Sequence, residues 1–397
     1  MPRRMDTESH STDCRWQSTA DNRSPRGGCA RQAEWDTMEE IRPIRESELE
    51  ELLDLLCAVH NPDGRERYRG YIEGDPTWRP SHTPVVVVDN RIVSTLRIWD
   101  RRVHLGVTPV RMGGIGGVTT HPDYRERGIA TRLMEHAAEH MRDDGYDLGL
   151  LFSAIPARFY RRLGWCCVPL MGFRAELRLS PNGERRALEV LPFDESRDLE
   201  ETVALYERHN AGRSGTMLRP RPYWDYAPSR VRGVLPAVVV RSPAGLCGYM
   251  NWVRNGDEAT VYEVAYDNAR ALDTLVQCVI DEAGVTRVHG VIPHGHPFVD
   301  ALVAATDADL RLVGDNSMMV LPCDVESLIA LTVPDAAELV RRLPVDLVCR
   351  LLFGESSGRD LEPILRARGV SLEAGEIRQL EAWFPRREVI FWAPDHF

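Results

Sequence analysis

From Ile41 onward, apolar and polar positions fall into blocks that predict an ordered series of strands and helices. Ile41 to Arg45 reads as a short strand. Ser47 and Glu50 have capping-box spacing before Leu49, Leu52, Leu53 and Leu56, a helical stripe. Pro84 to Val88 and Ile92 to Trp99 form a hairpin pattern around Asp89-Asn90. Val110 to Thr120 is a long, Gly-rich strand. After a turn at Pro122, Asp123 and Tyr124, a helix runs from about Gly128 to Asp144. Ile129, Leu133, Ala137 and Met141 share one of its faces, and Gly145 stops it. Leu148 to Ser153 is an apolar run of the buried, parallel kind. A short helix carries Phe159 and Tyr160, and Val168 to Leu179 supplies the last strands of this segment.

A weaker copy of the same order follows after about Pro181. A helix covers Leu199 to Asn210, with the acids Asp198, Glu200 and Glu201 near its first turn. Strands are predicted at Leu235 to Arg241, Leu246 to Arg254, Ala259 to Ala265 and Arg287 to Ile292, with a helix near Ala269 to Ala283. Met318 to Leu321 is placed as a closing strand of this second sheet. The repeat is one of element order, not of residues. Beyond Asp324 the pattern is mainly helical, then extended and aromatic up to Phe397. Residues 1–37 are polar and aperiodic and are expected to be a disordered tail. The expected domains are therefore 38–180, 181–323 and a C-terminal region 324–397, in an α/β (α+β) fold.

Composition narrows the chemistry. All 49 basic residues among the 397 are Arg, so there is no Lys anywhere. A lysine Schiff-base enzyme and a Walker-type phosphate loop are both excluded. Any bound phosphate must be held by Arg, backbone N–H groups or a metal. With 60 acidic residues the net charge is −11, which argues against nucleic acid as a partner and suits a cationic acceptor. Nine Cys without C-x-x-C spacing suggest reduced thiols in a cytoplasmic protein. No apolar run is long enough for a membrane span, and no signal-peptide pattern opens the sequence. His289, His294 and His296 lie close together but read as a solvated loop, not a metal site. Arg219, Arg221, Tyr223 and Trp224 read as a packing or interface patch.

The informative segment runs from Gly117 to Thr131 and contains Arg125-x-x-Gly128-x-Ala130 between a strand and a helix. Gly128 and Ala130 let a diphosphate approach free N–H donors at a helix start, where the dipole favours anions. Arg125 and Arg127 flank it and can neutralise phosphate. Candidate cofactor-binding residues are Val118, Thr119, Thr120, Arg125, Glu126, Arg127, Gly128, Ile129, Ala130 and Thr131.

Together with Phe159-Tyr160-x-x-x-Gly164-Trp165, this segment resembles the GNAT superfamily of acetyl-CoA-dependent N-acetyltransferases. The order of the whole chain resembles the Eis (enhanced intracellular survival) family. That resemblance implies tandem GNAT-like domains, the second degenerate. Its corresponding turn, Asp267 to Ala271, lacks a Gly for phosphate approach. It also implies a third region, either an abbreviated sterol-carrier-like domain or a helical one. Further implications are acetyl-CoA as co-substrate without a metal, an amine-bearing small molecule or peptide as acceptor, aminoglycoside-type polyamines among the candidates, and a homo-oligomer, a hexamer in that family. Tyr160 matches the family's general acid, and the carboxylate of Phe397 its general base. Backbone N–H groups on Val118 to Thr120 are the candidate oxyanion donors. A non-catalytic acyl-CoA-binding or scaffold protein is the alternative.

Overall fold

The computed structural model describes residues 39–178, 188–225, 235–293 and 295–397. The tail at 1–37 and the loop position His294 lie outside the described residues. Everything described belongs to one unit, Met38–Phe397.

The first segment opens with β1 (Glu39–Pro43), α1 (Leu49–Val59) and α2 (Arg65–Glu73). The capping box is shifted from its expected place. Ser47 lies inside a 3-10 turn, and the Glu48 carboxylate accepts from the Arg45 N–H at 2.9 Å. Glu50 is drawn off to pair with Arg65 and Arg69 of α2. Next come β2 (Pro84–Val88) and β3 (Arg91–Leu105), joined by Asp89 and Asn90. Both turn residues have positive φ, as a tight hairpin requires. β4 (Thr108–Thr120), α3 (Ile129–Asp143) and β5 (Leu148–Phe152) form a parallel crossover. The stripe Ile129, Leu133, Ala137 and Met141 is buried under it, as its spacing predicts. α4 (Arg158–Arg161), β6 (Cys166–Cys167) and β7 (Leu170–Glu176) follow.

The second segment holds β8 (Glu189–Pro192), α5 (Glu195–Asn210), β9 (Val238–Ser242), β10 (Gly245–Asn255) and β11 (Glu258–Tyr266). After the helix Ala269–Ile280 come β12 (Arg287–Gly290), the helix Pro297–Thr306, β13 (Asp309–Asp315) and β14 (Met318–Pro322). α5 starts four residues before the expected helix because Asp194 caps it through the N–H groups of Ser196 and Arg197. Asp198 of the acidic cluster is buried between Arg197 and Arg241.

Two seven-stranded sheets result, with orders β1-β2-β3-β4-β5-β14-β6 and β13-β7-β12-β11-β10-β9-β8. Here the strand assignment made from sequence is corrected. β14 does not close the second sheet but sits in the first, between β5 and β6. β7 leaves the first sheet for the second. Cys166–Glu176 and Asp309–Pro322 form one antiparallel ribbon that crosses from sheet to sheet, stepping at Val168-Pro169 and Asn316-Ser317. Pro169 has no N–H to donate to a ladder, so the step falls where pairing would lapse anyway. β14 is apolar at all five positions and all five are buried, which suits an interior strand. Alternation predicts a strand but not its partner.

Residues 324–397 form helices at Val325–Thr332, Ala337–Val340, Val345–Phe353, Gly358–Ala367 and Ala374–Trp383, then an extended tail. They contribute no strand, only a single bridge from Val389 to Ser214. No helix among the described residues is long and apolar enough to cross a membrane.

Candidate active site

The parallel pairing of β4 with β5 runs from Met112↔Leu148 to Ile115↔Leu151 and then stops. β4 continues to Thr120, so the two strands part and leave a cleft between them. On its other side β4 carries a bulge. Gly116 pairs with Arg97 and Thr119 with Thr95, which leaves Gly117 and Val118 together opposite Leu96. Gly117 sits at φ +59, where a side chain is strained. A bulge of this kind re-aims backbone groups out of the ladder.

The Thr119 hydroxyl donates to the Gly117 carbonyl at 2.8 Å and lies 2.6 Å from Nε2 of His60. His60 therefore donates Nε2–H to Thr119. Burial lowers the His60 pKa, and Arg67 and Arg125 add to the effect, so the ring is neutral at neutral pH. The Ser94 hydroxyl donates to the Thr119 carbonyl at 2.7 Å. No spacing in the sequence marks His60; it sits just past the end of α1 and only folding brings it to β4.

At the start of α3, Gly128 is the N-cap at φ +76 and brings no side chain to occupy the first-turn N–H groups. A cavity of about 250 Å³ opens there, lined by Thr120, Tyr124, Arg125, Glu126, Gly128, Ile129, Ala130, Thr131 and Phe159. Arg125 donates Nε to the Thr120 carbonyl at 3.2 Å, which leaves its other N–H groups for an anion. Arg127 is turned aside: it donates to the Asp123 carbonyl at 2.8 Å and lies 4.9 Å from the Tyr124 ring centre. Tyr124 and Phe159 join the cavity wall without having been picked out as binding residues. In the second segment, Asn268 caps the helix Ala269–Ile280 by accepting from the Ala271 N–H at 3.0 Å. That helix start is occupied by its own side chain.

Phe397 reaches the cleft. A β-carbon on Gly114 would lie 2.6 Å from Cζ of its ring, and one on Gly116 would lie 2.8 Å from its carboxyl carbon. The Gly-rich stretch of β4 is thus the bed of the chain end. Phe397 also borders a cavity of about 380 Å³ with His60, Arg67, Tyr68, Tyr71, Trp99 and Gly117. Tyr160, on α4, is buried, packed edge-on against Phe159 and Trp165. Burial raises its pKa, so the hydroxyl keeps its proton at neutral pH. It makes no hydrogen bond to a described residue.

The tail that carries Phe397 is locked by a buried ionic cluster. Asp395 accepts from Nε and Nη2 of Arg219, both at 2.8 Å, and from the Tyr223 hydroxyl at 3.0 Å. Arg219 also binds both oxygens of Glu263, at 3.0 and 2.5 Å. The side chains of Arg219, Glu263 and Asp395 are each 0% exposed. Trp392 donates to Asn210 at 2.9 Å, and His396 stacks on Phe152 with ring centres 3.7 Å apart. Arg219 and Tyr223 therefore belong to an interface, as the sequence suggests for that patch.

The other candidates fall away from the cleft. His296 is not solvated. It is fully buried, and its Nδ1 caps the helix Pro297–Thr306 through the Phe298 N–H at 3.2 Å. Burial pushes its pKa down to about 3. His289 lies in β12 with Nε2 3.1 Å from the Thr260 hydroxyl. Elsewhere, His82, His140 and Asp144 offer ligand atoms within 4.8 Å of one another. The Asp144 carboxylate is already bound by Arg79 and Arg111, each at 2.9 Å.

Residues 40–168 match the family described as acetyltransferase (GNAT) domain. The strand parting, the bulge and the Gly128 cap all lie within the matched residues. Among solved structures, the chain is similar to a protein of Enterococcus faecalis V583 described as a probable N-acyltransferase, with 19% identity over 74% of each chain and a TM-score of 0.62. It is similar to a GCN5-related N-acetyltransferase of Kribbella flavida, with 20% identity over 74% of each chain and a TM-score of 0.59. Eis1 of Mycobacterium abscessus shares 15% identity over 91% of this chain and 100% of its own, with a TM-score of 0.63. No curated protein matches the sequence. At these identities the likeness is one of fold, and it reaches beyond the matched residues.

Proposed function

We propose that the protein is an acetyl-CoA-dependent N-acetyltransferase of the Eis kind, acting on a primary amine without a metal. The observation that carries this reading is the seating of Phe397 on Gly114 and Gly116, where β4 and β5 part. Acetyl-CoA lies in that parting, with its diphosphate on the α3 N-terminus and Arg125. Its thioester oxygen faces the backbone of Val118 to Thr120, whose N–H groups stabilise the tetrahedral oxyanion. The neutral amine attacks the carbonyl carbon, and a C–N bond forms. The Phe397 carboxylate takes the amine proton. As the C–S bond breaks, Tyr160 gives its proton to the departing thiolate. The raised pKa of Tyr160 supports that role, because an acid must enter the step protonated. The side-chain cap at Asn268 supports a second domain that binds no nucleotide. The same reading includes a cytoplasmic homo-oligomer, consistent with the free thiols of all seven described cysteines.

The test is release of CoA thiol with a panel of amines, alongside calorimetry of acetyl-CoA binding. Tyr160→Phe, and separately a chain extended a few residues past Phe397, should each lower turnover by about 10²–10⁴-fold, the usual worth of an acid or base. Acetyl-CoA affinity should stay within a few-fold. Full activity in either protein removes that group from the mechanism. Tight acetyl-CoA binding with no thiol release for any amine would make the protein an acyl-CoA-binding module.

A further inference from the structure

We propose that the acceptor is an amine bearing a carboxylate on an apolar or aromatic body, not a polycation. This rests on the acetyl-transfer reading above and concerns the 380 Å³ cavity beside Phe397. None of its lining side chains is Asp or Glu. Two are Arg. Arg67 is exposed at the cavity, bonded only to the Tyr68 hydroxyl at 3.3 Å, and it has no carboxylate partner among the described residues. Its neighbours on α2 differ: Arg65 is taken by Glu50 and Asp54, and Arg69 by Glu50 and Glu73. Glu50, Asp54 and Glu73 are therefore spent on the other arginines. Arg97 shares the single buried carboxylate of Asp75 with Arg101, at 2.6 and 3.0 Å. His60 is held neutral and adds no charge. Among the described residues that line the cavity, the one carboxylate is that of Phe397.

A polyamine needs several carboxylates around it, and here its extra charges would meet two guanidiniums instead. A single amine fits, since the Phe397 carboxylate can take its proton. A carboxylate on the same molecule fits the open fork of Arg67. Between these poles the wall is aromatic and aliphatic, with Trp99, Tyr71 and Leu56. The volume is at the low end for small-molecule sites and matches an amino acid more than an oligosaccharide. The overall charge of −11 points the other way, toward a cationic acceptor. The local charge decides, because salt screens the rest within about 10 Å.

The test uses matched pairs in the thiol-release assay: phenylalanine against phenethylamine, 6-aminohexanoate against hexylamine, and spermine as the polycation. In each pair the carboxylate-bearing amine should have at least about a tenfold higher kcat/KM, as expected for a charge-assisted bidentate contact. Arg67→Gln should collapse that ratio through KM, and Arg67→Glu should move preference toward spermine. Equal rates within pairs, spermine as the best acceptor, or a ratio unmoved by Arg67→Gln would overturn the proposal. Calorimetry of the same pairs with CoA present separates the two readings. Selective binding of the carboxylate member without turnover would leave the cavity assignment and sink the enzyme. Turnover without that selectivity would do the reverse.

Discussion

A methyl group on Gly116 would stand 2.8 Å from the carboxyl carbon of Phe397, closer than two non-bonded carbons come. Gly116→Ala should push the chain end off β4. Thiol release should fall at least about tenfold, the low side of what a misplaced base costs, while acetyl-CoA binding stays near wild type. An active Gly116→Ala protein would show that the carboxylate is not used from this position. His296 gives a prediction about pH. Its ring is neutral down to about 3 in the fold, with Arg213 and His209 facing it, whereas an unfolded His takes its proton near 6.5. Stability from this residue is therefore complete above pH 6.5 and drains as pH falls, by up to about 1.4 kcal/mol per pH unit. His296→Asn keeps a capping side chain and removes the titration. Between pH 6.5 and 5, Tm should fall more steeply in the wild type than in this variant, and parallel curves would contradict the buried neutral ring. At this scale the sequence was uneven. The helix start at Gly128 is legible because local chain geometry sets it. His60 is not, because nothing local shows that α1 will pack on β4.

Among the elements, the extended tail depends most on a distant anchor. Arg219 sits between Glu263 of β11 and Asp395, so one guanidinium ties the second sheet to the segment that carries Phe397. Arg219→Met strands two buried carboxylates and should cost about 3–5 kcal/mol in urea unfolding. Asp395→Asn leaves the Arg219–Glu263 pair whole. It should cost less stability but lower turnover several-fold, because the tail loses its hold. If Asp395→Asn has full activity, the cluster is only structural. Helices and hairpins were legible in outline, since periodicity and turn residues fix them locally. Their ends moved where a side chain unexpectedly did the capping, as Asp194 and Glu48 do. The ionic anchor was not legible, because 176 positions separate Arg219 from Asp395.

For the molecule as a whole, the ribbon of β6–β7 and β13–β14 makes each sheet incomplete without the other segment. The two sheets should therefore unfold in one transition, seen together by calorimetry and by intrinsic fluorescence. A fragment covering 39–178 has β5 and β6 but not the strand between them, and it should fail to give a cooperative transition. A fragment that melts sharply would contradict this coupling. The tandem arrangement was readable from element order, and so was the weaker second copy. The exchange was not, because both strands satisfy the same alternation and only the closed structure chooses between the two sheets.

The same ribbon also sets a timetable. During synthesis β5 emerges early, but its neighbour β14 follows only after about 165 more residues, some eight to thirty-three seconds at ordinary ribosome speeds. Through that interval the nascent first segment presents an apolar, unpaired strand edge, a known template for aggregation. The protein should therefore lean on holdase chaperones while it is being made, and slow codons between the two segments should lower its soluble yield.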